Sequence, residues 1–284
     1  MHLDTVPLAD GWSFNPHELM IKDNRAYGLG ACDIKGAAAV LLTIAADCDD
    51  DMAILFSTDE EAGGGQCIKA FLQTDHPFER VVVAEPTDCQ AIMSHRGIAS
   101  VELQFKGASA HSSVAVSDSA IHKAAQWMSA ALQATQSSSE GDLRFNIGRI
   151  EGGIKPNMVA QDAIVRFGFR APPGVAAQPV IDHLVALKPT PASSQVNFLG
   201  PALPDQTDVA AEQRIERWIN AAHVDIGDPV NFWTECALFR QAGLDSVVLG
   251  SGNIAQAHAV DEWVEVSQLT KLYGCYRRLI DGQR

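Results

Sequence analysis

Short apolar runs alternate with amphipathic stretches through the first third of the chain, and this alternation predicts strands joined by helices. Ala53–Ser57 (AILFS) and Arg80–Ala84 (RVVVA) are runs of strand length followed by polar residues, the pattern of buried strands. Between them Gly65–Leu72 predicts a helix, and a further helix is expected over Ala37–Ala45, after Gly36. Strand, helix, strand in succession implies a sheet with crossover helices. The pattern changes near Arg96-Gly97. Ile98–Phe105, Arg144–Ile150 and Ala163–Arg170 alternate as strands with one solvated face do. Helical stretches fall at Ser119–Gln133 and Pro179–Leu187, and Val196–Leu199 is a last short strand. The middle of the chain therefore reads as a β-α-β-β-α-β unit, with Ser137-Ser138-Ser139 in a loop on it. After Pro201 the first style returns: a helix over Glu212–Ala222, a buried strand over Ser246–Leu249 and a closing helix over Val266–Ile280. The expected organisation is an α/β domain made of residues 1–96 plus 202–284, interrupted by a domain over residues 97–201 with hinges near Arg96 and Pro201.

Composition narrows the function classes. Of 284 residues, 46% are hydrophobic and 20% charged, an ordinary globular balance with enough chain for a sizeable core. The formal net charge of -14 argues against a nucleic-acid or anionic-membrane partner, either of which requires a basic face. No apolar run reaches the length of a membrane span, and Met1-His2-Leu3-Asp4 does not open a signal peptide, so a cytoplasmic protein is expected. The six cysteines, at 32, 48, 67, 89, 236 and 275, form no Cys-x-x-Cys pair and fit free thiols in a reducing compartment.

Candidate chemistry sits in five segments that carry a hard or borderline metal ligand beside an apolar run: His2-Leu3-Asp4, Asp33, Glu60-Glu61, Glu85 and His258. A lone histidine or an acidic pair after a strand is usually a solvated feature. Two histidines and several carboxylates at strand ends are another matter, because ligands in an open sheet gather at the carboxyl ends of strands. Imidazole nitrogen and carboxylate oxygen both suit zinc or a close relative. Cys32 and Cys67 lack the paired spacing of thiolate ligands.

With these residues in place, the chain resembles the M20 metallopeptidase family, in particular its acetylornithine deacetylase branch. The matching motifs are His2-Leu3-Asp4-Thr5-Val6-Pro7, Tyr27-Gly28-Leu29-Gly30-Ala31-Cys32-Asp33-Ile34-Lys35-Gly36, Thr58-Asp59-Glu60-Glu61, Glu85-Pro86-Thr87 and the late His258. They stand in the family's order and span nearly the whole chain. Arg144-Phe145-Asn146-Ile147-Gly148-Arg149 and Phe232-Trp233-Thr234-Glu235 look closest to the acetylornithine and acetylcitrulline branch.

The resemblance implies a fold and a set of roles. The fold is a mixed-sheet, zinc-peptidase-like α/β catalytic domain with an inserted α+β, ferredoxin-like lid or dimerisation domain. His2 and Glu85 are expected to hold one Zn2+, Glu61 and His258 a second, with Asp33 bridging the two and Co2+ as a possible substitute. Glu60 is the expected general acid/base, and Asp4 the group that orients the His2 imidazole by a hydrogen bond to its free ring nitrogen. His111 matches an oxyanion-stabilising histidine that often acts across a dimer interface. Asn157 and Arg170 match positions that contact substrate, Arg170 holding its α-carboxylate, and Glu235 is either a supporting group, the partner of a substrate amino group or a helix-start carboxylate.

The implied reaction is metal-dependent hydrolysis of the amide of an N-acetyl amino acid, in a homodimer. N-acetylornithine in arginine biosynthesis is the first substrate expected, with N-acetylcitrulline or succinyl-diaminopimelate as alternatives. Relatives carry a helix and several strands ahead of the first ligand, and this chain opens on that ligand. The reading therefore expects a catalytic sheet lacking its first strands, and an inactive fragment acting only as a binding or oligomerising module is the competing class. The lack of a Gly-x-Ser-x-Gly elbow, and of a cysteine in a recognisable nucleophile motif, argues against a serine or cysteine hydrolase.

Overall fold

The computed structural model describes residues 1–47, 52–61, 63, 65–113, 118–136 and 142–281. The expected loop at Ser137-Ser138-Ser139 and the thiol of Cys48 lie outside the described residues. The chain divides into two compact units, Met1–His95 with Asp208–Arg284, and Arg96–Thr207.

The first unit is built on β3 (Arg80–Val83) and β8 (Asp245–Val248), which pair in parallel from Arg80↔Asp245 to Val83↔Val248. Three helices cover this pair: α1 (Gly36–Asp47), α5 (Val209–Ala221) and α7 (Val266–Asp281). Helix α7 buries Leu272, Cys275, Tyr276 and Leu279, the three- and four-residue spacing of one helical face. Ala211, Ile215, Trp218 and Ile219 do the same for α5. Asp208 starts α5 as its N-cap, accepting the amides of Ala210 and Ala211 at 3.1 and 3.0 Å. These faces meet Ile34, Ile44, Val247 and Leu249 in one core. Buried within it, the Tyr276 hydroxyl donates to the Leu249 carbonyl at 2.6 Å, so the phenol keeps a partner away from water.

The sequence pattern does not foresee a second, antiparallel sheet in this unit, of order β1 (Met20–Lys22), β2 (Arg25–Tyr27), β9 (Trp263–Glu265). Three-residue strands are too short to show a period. The helices α2 (Gln66–Phe71) and α6 (Cys236–Gln241) are six residues each, and α6 is likewise absent from the sequence expectation. Ala53–Ser57, expected as a buried strand, joins no ladder among the described residues; of its five residues Ser57 alone bridges, to His2. Ser57 donates to the Met1 carbonyl and accepts from the Leu3 amide, both at 2.9 Å, and two bonds to the first three residues are too few to define a strand.

The second unit is the β-α-β-β-α-β fold: β4 (Ile98–Lys106), α3 (Ala120–Gln136), β5 (Arg144–Gly152), β6 (Asp162–Arg170), α4 (Ala177–Ala186) and β7 (Ser193–Gly200). The strands form one antiparallel sheet of order β5-β6-β4-β7. Ala99, Val101, Leu103 and Phe105 of β4, and Ala163, Val165, Phe167 and Phe169 of β6, point to one face, where α3 and α4 close the core. Trp127 fills that core, its indole N–H donating to the Leu184 carbonyl at 2.9 Å. Residues 201–207 pack with this unit, where the Pro204 carbonyl accepts the Gly174 amide at 2.9 Å.

Candidate metal centre

Five chain segments of the first unit converge at the carboxyl ends of its strands. His2 is held in place by the Ser57 bridge and is 1% exposed. Its Nδ1 faces the Asp4 main-chain carbonyl at 2.9 Å. A carbonyl only accepts, so Nδ1 carries the hydrogen and Nε2 points onward as the ligating nitrogen. The Asp4 carboxylate, expected to do this orienting, stands 3.7 Å from Nδ1 and instead accepts the Glu61 amide at 3.0 Å. Asp4 thus orients His2 through its backbone and fixes the Glu61 turn through its side chain.

Asp33 stands in the turn between β2 and α1, a π-type turn over Ala31–Lys35. Glu85 follows β3 and is buried against Gly250; a Cβ at Gly250 would lie 2.3 Å from the Glu85 carbonyl oxygen, so only glycine lets the two segments approach this closely. His258 lies in the loop between β8 and β9 with φ 60, its side chain about half exposed at 49%.

The geometry centres on Asp33. Its Oδ1 is 3.0 Å from His2 Nε2, and its Oδ2 is 3.3 Å from His258 Nε2. His2 Nε2 also lies 3.9 Å from Glu85 Oε2, and His258 Nε2 lies 2.9 Å from Glu61 Oε1. Among the described residues, three sets have ligand atoms within 4.8 Å of one another: His2, Asp33 and Glu85; Asp33, Glu61 and His258; and His2, Glu60 and Glu61.

The electrostatics demand positive charge here. Burial pulls the His2 imidazole down, but the hydrogen bond to Asp33 and the charges of Glu85, Asp33 and Glu60 carry it up to about 10. His258 is raised to about 9, chiefly by its hydrogen bond to Asp33. Burial works to raise Asp33, yet the two histidines hold it down at about 2. Complete burial, with the Asp33 charge beside it, pushes Glu85 well above the usual carboxylate range. Its Oε1 is buried without a hydrogen-bond partner. A carboxyl oxygen left orphaned in full burial, on a group pushed toward neutrality and 3.9 Å from His2, is what a multivalent cation would relieve, so the donor set fits a metal pair. Burial also raises Glu60 to about 7, opposed by His2 and reinforced by the charges of Glu61, Glu235 and Asp33.

Glu235 stands at a helix start and against Ser57, two of the three places the sequence offers it. It is 1% exposed, and its Oε2 accepts the Ser57 hydroxyl at 2.8 Å. It begins α6 without a side-chain capping bond. Its reach is therefore to the strand bridge that carries His2.

The remaining candidates belong to the second unit. His111 is exposed; its Nδ1 accepts the Ser113 amide at 3.2 Å, which leaves Nε2 to carry the ring hydrogen and act as a donor. Asn157 is adjacent, its carbonyl accepting the Ser112 amide at 3.0 Å. Arg170 ends β6, opposite Arg144, half-buried, and burial lowers its pKa. The register puts Lys106 and Asp162 at one end of the sheet and Ala99, Phe169 and Arg170 at the other. Within the unit, Arg170 is separated from His111 and Asn157 by the length of β6, roughly 25 Å at the rise of an extended strand.

An α/β unit with imidazoles and carboxylates gathered at its strand ends, carrying an α+β unit within its chain, defines a metallohydrolase. The chain belongs to Peptidase family M20/M25/M40, whose model matches residues 1–282. It is 42% identical over 294 residues to the N-acetyl-L-citrulline deacetylase of Xanthomonas campestris pv. campestris, covering 99% of this chain and 80% of that protein. It is 30% identical to the acetylornithine deacetylase of Klebsiella pneumoniae, covering 93% of this chain and 74% of that protein. Among solved structures, aminopeptidase PepT from Bacillus cereus superposes with a TM-score of 0.71 at 20% identity, over 99% of this chain and 79% of that one. An M20 family metallo-carboxypeptidase from Sulfolobus solfataricus does so with 0.66 at 14%, over 98% and 83%. At these identities the structural likeness establishes the fold. No described helix is long and apolar enough to cross a membrane, and the five described cysteines are free.

Proposed function

We propose that the chain hydrolyses the amide of an N-acetyl amino acid at a pair of divalent cations, Zn2+ first and Co2+ as a substitute. The observation that carries this reading is the single Asp33 carboxylate reaching two different histidines with its two oxygens. His2 and Glu85 would hold one cation, Glu61 and His258 the other, with Asp33 common to both. When bound, such a pair polarises the scissile carbonyl and acidifies the attacking water.

The chain's own groups supply the rest. Glu60, raised to about 7 by burial, takes the water's proton and returns it to the leaving amine. Asp4 holds the His2 ring through its carbonyl and the Glu61 turn through its carboxylate. His111, with its hydrogen on Nε2, offers a donor to the developing oxyanion. Asn157 and Arg170 hold the substrate, the guanidinium taking the α-carboxylate by its fork. Glu235, buried on Ser57, supports the His2 bridge.

Arg170 and His111 stand at opposite ends of one sheet, farther apart than one acylated amino acid can span. One small substrate meets both only if they come from different chains, which favours a homodimer formed through the unit Arg96–Thr207, itself read as the lid and dimerisation domain inserted in the catalytic one. Free cysteines throughout the described chain favour a cytoplasmic enzyme. N-acetylornithine, the first substrate expected from the motifs, and N-acetylcitrulline, the substrate in the name of the 42% identical relative, both fit this reading.

The test is turnover of the Zn2+-loaded chain on both compounds. The two differ at the side-chain end, an ammonium against a neutral ureido group. A buried counter-charge for the ammonium gives a preference of about 10-fold or more for N-acetylornithine, and its lack turns the preference to N-acetylcitrulline. No release of acetate from either compound by chain that holds metal overturns the proposal.

A further inference from the structure

Glu262 has no place in the reaction described above, yet it is 2% exposed and both of its carboxylate oxygens are taken up by one turn. Oε2 accepts the Gly30 amide at 2.7 Å. Oε1 accepts the amides of Cys32 and Asp33 at 2.8 and 2.9 Å. The Glu262 carbonyl adds a fourth bond, from the Gly28 amide at 3.1 Å. All four donors are main-chain groups of the turn that presents Asp33.

Glu262 is also in the His258 segment, just ahead of β9, and the β2–β9 pairing seats it beside that turn. It therefore ties the backbone of one ligand to the segment of another. Asp33 is the ligand whose displacement matters most, because its two oxygens face His2 and His258 at once. Asp261, the preceding residue, fastens the outer loop in the same way, accepting the Ser13 amide and hydroxyl at 2.8 Å each.

We infer that Glu262 is a positioning residue that sets Asp33 against His258 and thereby governs how tightly the cation pair is held. A glutamine cannot replace it: the amide has one oxygen to accept, and its NH2 would face a donor of the turn. An aspartate keeps the charge on an arm one methylene shorter, which cannot reach all three amides. Groups that hold metal ligands in place typically carry about 10–100-fold in metal affinity.

This inference rests on the metal reading above, and the experiment separates the two. Parent chain, E262Q and E262D are stripped of metal and titrated with Co2+, with affinity read by chelator competition and geometry by the visible Co2+ bands; kcat and KM are then measured at excess metal. The expected result is a Kd raised about 10–100-fold for at least one Co2+ and altered visible bands. Excess metal should restore kcat in part, with KM for substrate unchanged. Variants that melt earlier but keep the parent Kd and spectrum would show a merely structural anchor and overturn the inference. So would failure of both variants to fold, since the turn would then serve the fold rather than the site. A parent chain that takes up no Co2+ overturns the metal reading itself.

Discussion

Replacing Glu60 by Ala is expected to lower kcat on an N-acetyl amino acid by about 10²–10⁴-fold, the usual worth of a positioned general acid/base, while metal content stays at the parent level. Glu60 belongs to neither of the two sets centred on Asp33, though it lies within reach of His2 and Glu61. Metal analysis beside the rate therefore decides its role. A variant that loses turnover and keeps its metal identifies a proton carrier, whereas loss of metal in step with turnover identifies a ligand. The pH profile gives an independent reading. Burial raises Glu60 to about 7, and a base must be deprotonated, so activity falls as pH drops through that value. Bound cations favour the charged form, so the acid limb lies at or below 7 in the loaded enzyme and is missing from E60A. An acid limb that survives in E60A belongs to another group.

Asp33→Asn should have a still larger effect, because it touches both halves of the cluster. The substitution keeps shape and size but leaves one acceptor oxygen where two were used, at 3.0 Å from His2 and 3.3 Å from His258. The expected outcome is loss of both cations at ordinary metal concentrations and turnover below detection, read by elemental analysis and by rate in excess Zn2+. Histidine protonation should change with it. In metal-free parent protein His2 is carried to about 10 and His258 to about 9, chiefly by their hydrogen bonds to the charged Asp33, with Glu85 and Glu61 adding to the shifts. Without that charge both should titrate nearer the ordinary histidine value, which the ring proton shifts report. D33N that retains two cations would refute the bridging role.

Much of the site is legible in the sequence because its residues stand in recognisable strand-end motifs. Asp33, Glu60-Glu61, Glu85 and His258 each follow a short apolar run, and the fold gathers them. The second unit is legible for a related reason: β4 and β6 alternate cleanly over nine residues each, so both strands and their buried faces can be read. The rest depends on pairings that no local pattern reveals. Glu262 looks like any acid before a strand, and its importance follows from three-residue β2 and β9 lying side by side. The orienting role expected of the Asp4 side chain falls to its backbone carbonyl, while the carboxylate accepts the Glu61 amide. Alternation tells which face a residue takes but not which end of the sheet, so the distance between Arg170 and His111 becomes visible only with the register. The AILFS run has strand composition but finds too few backbone partners.

The order of the ligands along the chain has a last consequence. His2 opens the sequence and His258 comes near its close, and Asp33 touches both. Two cations joined through Asp33 would work as a removable crosslink around a loop from His2 to His258 that encloses most of the polypeptide, the Arg96–Thr207 unit included. Loop-closure entropy grows only with the logarithm of loop length, so such a clasp forms at modest entropic expense across even this separation.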